Sequence, residues 1–162
     1  MSIGNGGVAV AMKAELIHPF LESARIVIEQ VANVRPSTGE LGIKEIVPVG
    51  GYIRIYIGMT GQMEGDIVFM LQEEVALKVV SAMMGGYILT EMNEITQSAI
   101  SELGNMISGN ASTMLYNQGV RVDITPPKVV HASGEALGSV KALTIPLIME
   151  GIGELDIQVL IA

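Results

Sequence analysis

The chain has 162 residues, of which 49% are hydrophobic and 16% charged, so it is long enough for one domain with a sizeable core and too apolar to be disordered. A net charge of −8 argues against nucleic acid as a partner, because phosphates need a basic surface. Cysteine is absent, which removes disulfides and thiol chemistry, and no uncharged apolar run of ~18 residues offers a membrane span.

Residues 1–11 are small and glycine-rich without a basic n-region, and read as a flexible lead that is not a signal peptide. Residues 12–162 read as one domain, cytoplasmic by default. Leu16, Phe20, Ala24, Val27 and Val31 repeat at helical spacing from about Met12 to Val34, with Pro19 expected in the first turns or at a kink. Arg35-Pro36-Ser37-Thr38-Gly39 ends that helix in a loop. A short extended segment is expected near Leu41 to Val47, and a strand over Tyr52 to Ile57 with its isoleucines on one face. Gly58 to Gly61 is expected to turn the chain, with Gly65 to Leu71 as the returning arm of a hairpin.

Glu73-Glu74 opens a helix through Met84, closed by Gly85-Gly86. The longest helix is expected from about Glu91 to Asn117, with Thr90 as N-cap and Gly119 after its end. Val120 to Ile124 is a strand stopped by Pro126-Pro127, and two more are expected at about Ser139 to Met149 and Gly153 to Ile161. Leu155 to Val159 alternates, so one face there is expected to be solvated or used in assembly. This order predicts an α+β domain with helices packed on one face of a largely antiparallel sheet.

The long helix carries Gly104 and Gly109 in its interior, each costing about 1 kcal/mol relative to alanine. At ~100° per residue, Met92, Ala99, Leu103, Met106, Ile107 and Met114 make a buried stripe. Glu91, Glu94, Ser98, Glu102, Asn105, Gly109, Ser112 and Tyr116 face outward. Glu102 and Asn105 are then neighbours one turn apart, with Ser98, Ser101, Gly109 and Ser112 as a low-relief docking surface around them. Gly104 points away and is expected to permit close packing, while Asn110 falls toward the apolar side and has a structural role. An exposed acid and amide are common on any helix, so the small residues carry much of this reading.

Other constellations are weaker. Gly58, Gly61 and Gly65 match neither phosphate-loop fingerprint and fit a hairpin better. His18 and His131 are far apart in sequence without clustered ligands, so no metal or cofactor is expected on this chain.

Glu102-Leu-Gly-Asn105, with Ser-Ala-Ile before it and Met-Ile-Ser-Gly after it, resembles the acidic-x-x-asparagine signature of the CheC/CheX chemotaxis phosphatases. Ala76 to Gly86 and Val122 to Val130 are similar to the CheX branch in particular, and Gln30-Val-Ala-Asn33 lacks the acid that a second, CheC-like motif would carry. The resemblance implies a phosphatase acting on the aspartyl phosphate of a CheY-like receiver. Asn105 would orient the attacking water, and Glu102 would pair with a receiver lysine. It also implies Mg²⁺ on the receiver and a homodimer joined through its sheets. The alternative is a non-catalytic module that binds a receiver or flagellar switch component and sequesters it.

Overall fold

The computed structural model describes residues 5–46, 50–131 and 140–161. The first helix, α1, runs from Asn5 to Ala32 and continues through Pro19. It starts earlier than the Met12 expected, so the lead is helical from Asn5 onward; residues 1–4 lie outside the described set. Asn33 ends the helix with φ 54°, a left-handed conformation that asparagine tolerates better than most residues.

Strands β1 (Ser37–Thr38) and β2 (Gly42–Ile46) follow, then β3 (Tyr52–Gly61) and β4 (Gly65–Gln72). Helices α2 (Glu73–Met83) and α3 (Glu94–Asn117) come next, and β5 (Val122–Ile124), β6 (Lys128–His131), β7 (Val140–Met149) and β8 (Gly153–Leu160) complete the order. Val47 and Ser139, the expected ends of two strands, lie outside the described residues. The strands form one antiparallel sheet in the order β1-β7-β8-β4-β3-β5, with β2 also on β7 and β6 also on β3. The predicted α+β arrangement is observed.

Alternation decides which face the helices cover. Ile53, Ile55, Ile57 and Met59 of β3, Ile67, Phe69 and Leu71 of β4, and Leu155, Ile157 and Val159 of β8 join one core with the buried sides of α1, α2 and α3. Burying a side chain of this size contributes about 1.5–3 kcal/mol each, which is why the layer closes from one side.

The turn expected at Gly58 to Gly61 fails for an identifiable reason. Gly58 to Gly61 is strand, not turn, and β3 extends through Gly61. Gly61 has φ 113°, and a β-carbon there would lie 2.8 Å from the Arg121 carbonyl oxygen, so this glycine serves the close approach of the chain entering β5. Gly58 donates its N–H to Thr125 Oγ1 at 2.8 Å, a contact across the sheet that local sequence does not show. The face of β8 turned away from the helices is graded, with Glu154 exposed, Asp156 half-buried and Gln158 buried. Gln158 is 2% exposed, flanked by Val68 on β4 and Thr144 on β7, both buried.

Asp156 shares that face and is half-buried. Burial pushes its carboxyl above the usual range, Lys44 opposes the shift and Glu154 adds to it. The folded protein therefore holds this proton more tightly than the unfolded chain. Stability falls as pH rises from the unfolded carboxylate range, about 3.9, through the raised value. Asp156→Asn removes the ionisation, and we expect its melting temperature to exceed wild type by a few degrees at pH 7, with the gain shrinking at pH 4. Calorimetry at the two pH values checks this; an equal gain at both would show that charge burial is not the cause.

Candidate functional site

The site is built on α3. Its start is set by Asn93, whose side chain accepts from the Thr96 N–H at 3.0 Å while Thr96 Oγ1 donates to the Asn93 carbonyl at 2.9 Å. That reciprocal cap places the first turn after Thr90, which was expected to hold it; Glu91 and Met92 precede the helix. Asparagine is the stronger capping residue of the two, and Thr96 is fully buried beneath it.

The buried stripe of α3 comprises Ile100, Leu103, Gly104, Ile107, Ser108, Ala111 and Leu115. Leu103 and Ile107 were expected there. Met92, Ala99 and Met106 are only partly buried at its margin, and Met114, also at the margin, accepts a 3.6 Å contact from Ser23 Oγ of α1. The stripe centre is rotated relative to the sequence wheel because α3 packs on the sheet and on α1 at once. Gly104 permits a close approach: a β-carbon there would lie 2.9 Å from Ile55 Cγ2 and 3.1 Å from Pro127 Cβ. Asn110 is half-buried.

With that side fixed, Glu102 and Asn105 project outward one turn apart, both exposed. Neither makes a hydrogen bond or ion pair with another described residue. Ser98 and Gly109 are exposed and Ser101 and Ser112 half-buried, so the structure brings all six predicted site residues onto one side of the helix. A β-carbon at Gly109 would meet nothing within 4 Å. One shallow depression, lined by Glu94, Gln97, Ser98, Ser101 and Val129, lies toward the start of the helix. Another, lined by Ser112, Tyr116, Val120, Arg121 and Val122, lies toward its end. The pair therefore stands on an open ridge, and any water it holds is shielded only once a partner covers it.

Ile95 also stands on this side of α3. It is 62% exposed, two turns before Glu102 and on the same stripe. His18 is exposed on α1, while His131 of β6 lies 3.2 Å from Glu73 Oε2 at the start of α2, a pairing that only the fold reveals.

An antiparallel sheet faced by helices, with an acidic-x-x-asparagine pair presented outward, defines a class of protein as well as a geometry. The family model described as chemotaxis phosphatase CheX matches residues 53–148. The CheY-P phosphatase CheX of Thermotoga maritima is 39% identical over 119 residues, which cover 74% of this chain and 77% of that protein. Chemotaxis protein CheX from Vibrio vulnificus superposes with a TM-score of 0.75 at 26% identity, over 90% of this chain and 98% of that one. A CheX-CheY-BeF3-Mg²⁺ complex from Borrelia burgdorferi aligns with a TM-score of 0.69 at 26% identity, over 89% and 96% of the two chains. The chain belongs to the CheX family of chemotaxis phosphatases.

The two helix glycines separate experimentally. Gly104→Ala gains helix propensity but drives a methyl into the branched Ile55 and the ring of Pro127, so a net loss of about 1–3 kcal/mol is expected. Gly109→Ala meets open space and should gain up to about 1 kcal/mol. Chemical denaturation of both variants tests the pair, and a stabilised Gly104→Ala protein would contradict the close approach described.

Proposed function

We propose that this chain hydrolyses the aspartyl phosphate of a phosphorylated CheY-like receiver, with Glu102 and Asn105 as its catalytic contribution. The observation that carries the reading is their placement one turn apart on an exposed ridge, free of partners within the described chain. The similarity to a CheY-P phosphatase and to a CheX-CheY complex supports the choice of substrate.

The chemistry asks little of the protein beyond positioning. Water oxygen attacks phosphorus, the bond from phosphorus to the aspartyl oxygen breaks, and the carboxylate leaves with the electron pair. The proton given up by water passes to the phosphate product. A carboxylate leaving group is a weak base, so no strong general acid is required. The Asn105 carboxamide oxygen accepts a hydrogen from the water and its nitrogen donates to a neighbouring oxygen. Glu102 pairs with a receiver lysine and fixes the register of the two proteins. Mg²⁺ is carried by the receiver, and this chain supplies no metal or cofactor of its own.

We further infer a cytoplasmic homodimer joined through the sheets. Strand β2 pairs with β7 along one edge and with no other described strand, and Leu41 and Ile43 beside that edge are 47% and 57% exposed. Ile43→Lys is expected to reduce the solution mass from two chains to one in sedimentation; an unchanged mass rules out this edge.

The activity is tested by phosphate release from a phosphorylated receiver. Asn105→Ala should lower kcat about a hundredfold with little change in KM, the scale on which misplacement of a reacting group is felt. Glu102→Ala should raise KM and lower kcat together. A wild-type protein that binds the phosphorylated receiver without accelerating its decay would replace this reading with sequestration.

A further inference from the structure

The Glu102 and Asn105 pair explains how a receiver is oriented but not what holds it. An ion pair at an exposed site contributes little affinity, because both charges are already well solvated. Stable protein interfaces instead rest on a few apolar or aromatic anchors, ringed by contacts that exclude water. The stripe that carries Glu102 and Asn105 has two such side chains. Ile95 is 62% exposed two turns before Glu102, and Tyr116 is 67% exposed about three turns beyond Asn105. Single exposed apolar residues are ordinary, so exposure alone decides nothing.

Placement does more. Ile95 lies in the first turn of α3, directly after the acidic Glu94, where polar residues that complement the helix end are favoured. Each residue stands beside one of the depressions that flank the catalytic pair; Tyr116 lines the second. Between them the stripe holds Ser98, Glu102, Asn105 and Gly109, a polar and low middle. At 1.5 Å per residue the two anchors are about 30 Å apart, roughly the width of an interface that buries 800 Å² per partner. Among the described residues, neither side chain belongs to the hydrophobic core or makes a hydrogen bond.

We propose that Ile95 and Tyr116 are the anchors that seat the phosphorylated receiver. The occupant is a receiver domain that presents apolar side chains on both sides of its phosphoryl group, so that Ile95 and Tyr116 close the rim while Glu102 and Asn105 meet the polar centre. This rests on the catalytic reading of the ridge given above.

The experiment compares Ile95→Ser, Tyr116→Ser and the double variant in phosphate release from a CheY-like receiver of the same organism, with Asn105→Ala in parallel. Each single variant should raise KM about tenfold and leave kcat within twofold, while Ile95→Leu and Tyr116→Phe keep KM near wild type. Thermal unfolding should be unchanged, since both positions are exposed. If the serine variants keep the wild-type KM while Asn105→Ala loses kcat, the anchors are wrong and the catalytic pair stands. A fall in kcat at constant KM in the serine variants would also overturn the proposal. If Asn105→Ala retains full kcat, the catalytic reading itself fails, whatever the anchors do.

Discussion

The approach of α3 to the sheet at Gly104 is the contact on which the rest of the site depends. With no β-carbon at that position, the helix backbone settles against Ile55 of β3 and Pro127 ahead of β6. A helix has one angular degree of freedom once its axis is placed, and this contact fixes it. Leu103 and Ile107 then enter the core, and Glu102 and Asn105 point away from it. Rotation by one residue, about 100°, would bury the carboxylate without a partner, a change that core packing strongly opposes. The helix-propensity cost of Gly104 is therefore offset by contact. Gly109 bears the same intrinsic cost with no described neighbour within 4 Å to compensate it.

How far the sequence could be read follows from the range of each interaction. Alternation along β3 and β8 and the helical repeats of α1 and α3 are local, and the layer they build was legible. So was the outward direction of Glu102 and Asn105, since the wheel error at the stripe centre was smaller than the separation of the two faces. What escaped was set by distant residues. Gly61 reads as a turn because its reason for being glycine, the Arg121 backbone, is far along the chain. The short strand β6 follows two prolines and exists through its pairing with Ile53 to Tyr56, which no local pattern announces. The start of α3 was misplaced because Thr90 and Asn93 are both capping residues, and only the buried Thr96 decides between them.

The two faces of the sheet show how differently one fold can treat polar groups. On the face turned away from the helices, Arg54 and Gln158 are buried with a side-chain atom of each lacking a partner among the described residues, and burial raises the Asp156 carboxyl above its usual range. Such groups cost stability and are tolerated because the aliphatic core on the opposite face is continuous across β3, β4, β7 and β8. Among the described residues, α3 carries none of that burden on its outer side. Its polar residues are solvated when alone, so no desolvation is stored in the unbound protein.

That distribution fits a site completed by its substrate. An enzyme that must activate a poor leaving group needs buried acids and bases with displaced pKa values, and a cavity that excludes water permanently. An acyl phosphate relaxes the first demand, and a protein-sized substrate can meet the second by covering the ridge itself. What the chain must then provide is a rigid spacing between two polar side chains, and a helix clamped to a sheet holds that spacing better than a loop. The relief around the pair must also stay low enough for another backbone to approach within hydrogen-bonding distance. Serine and glycine on the outer face of α3 satisfy that second requirement, and Gly104 on its inner face satisfies the first.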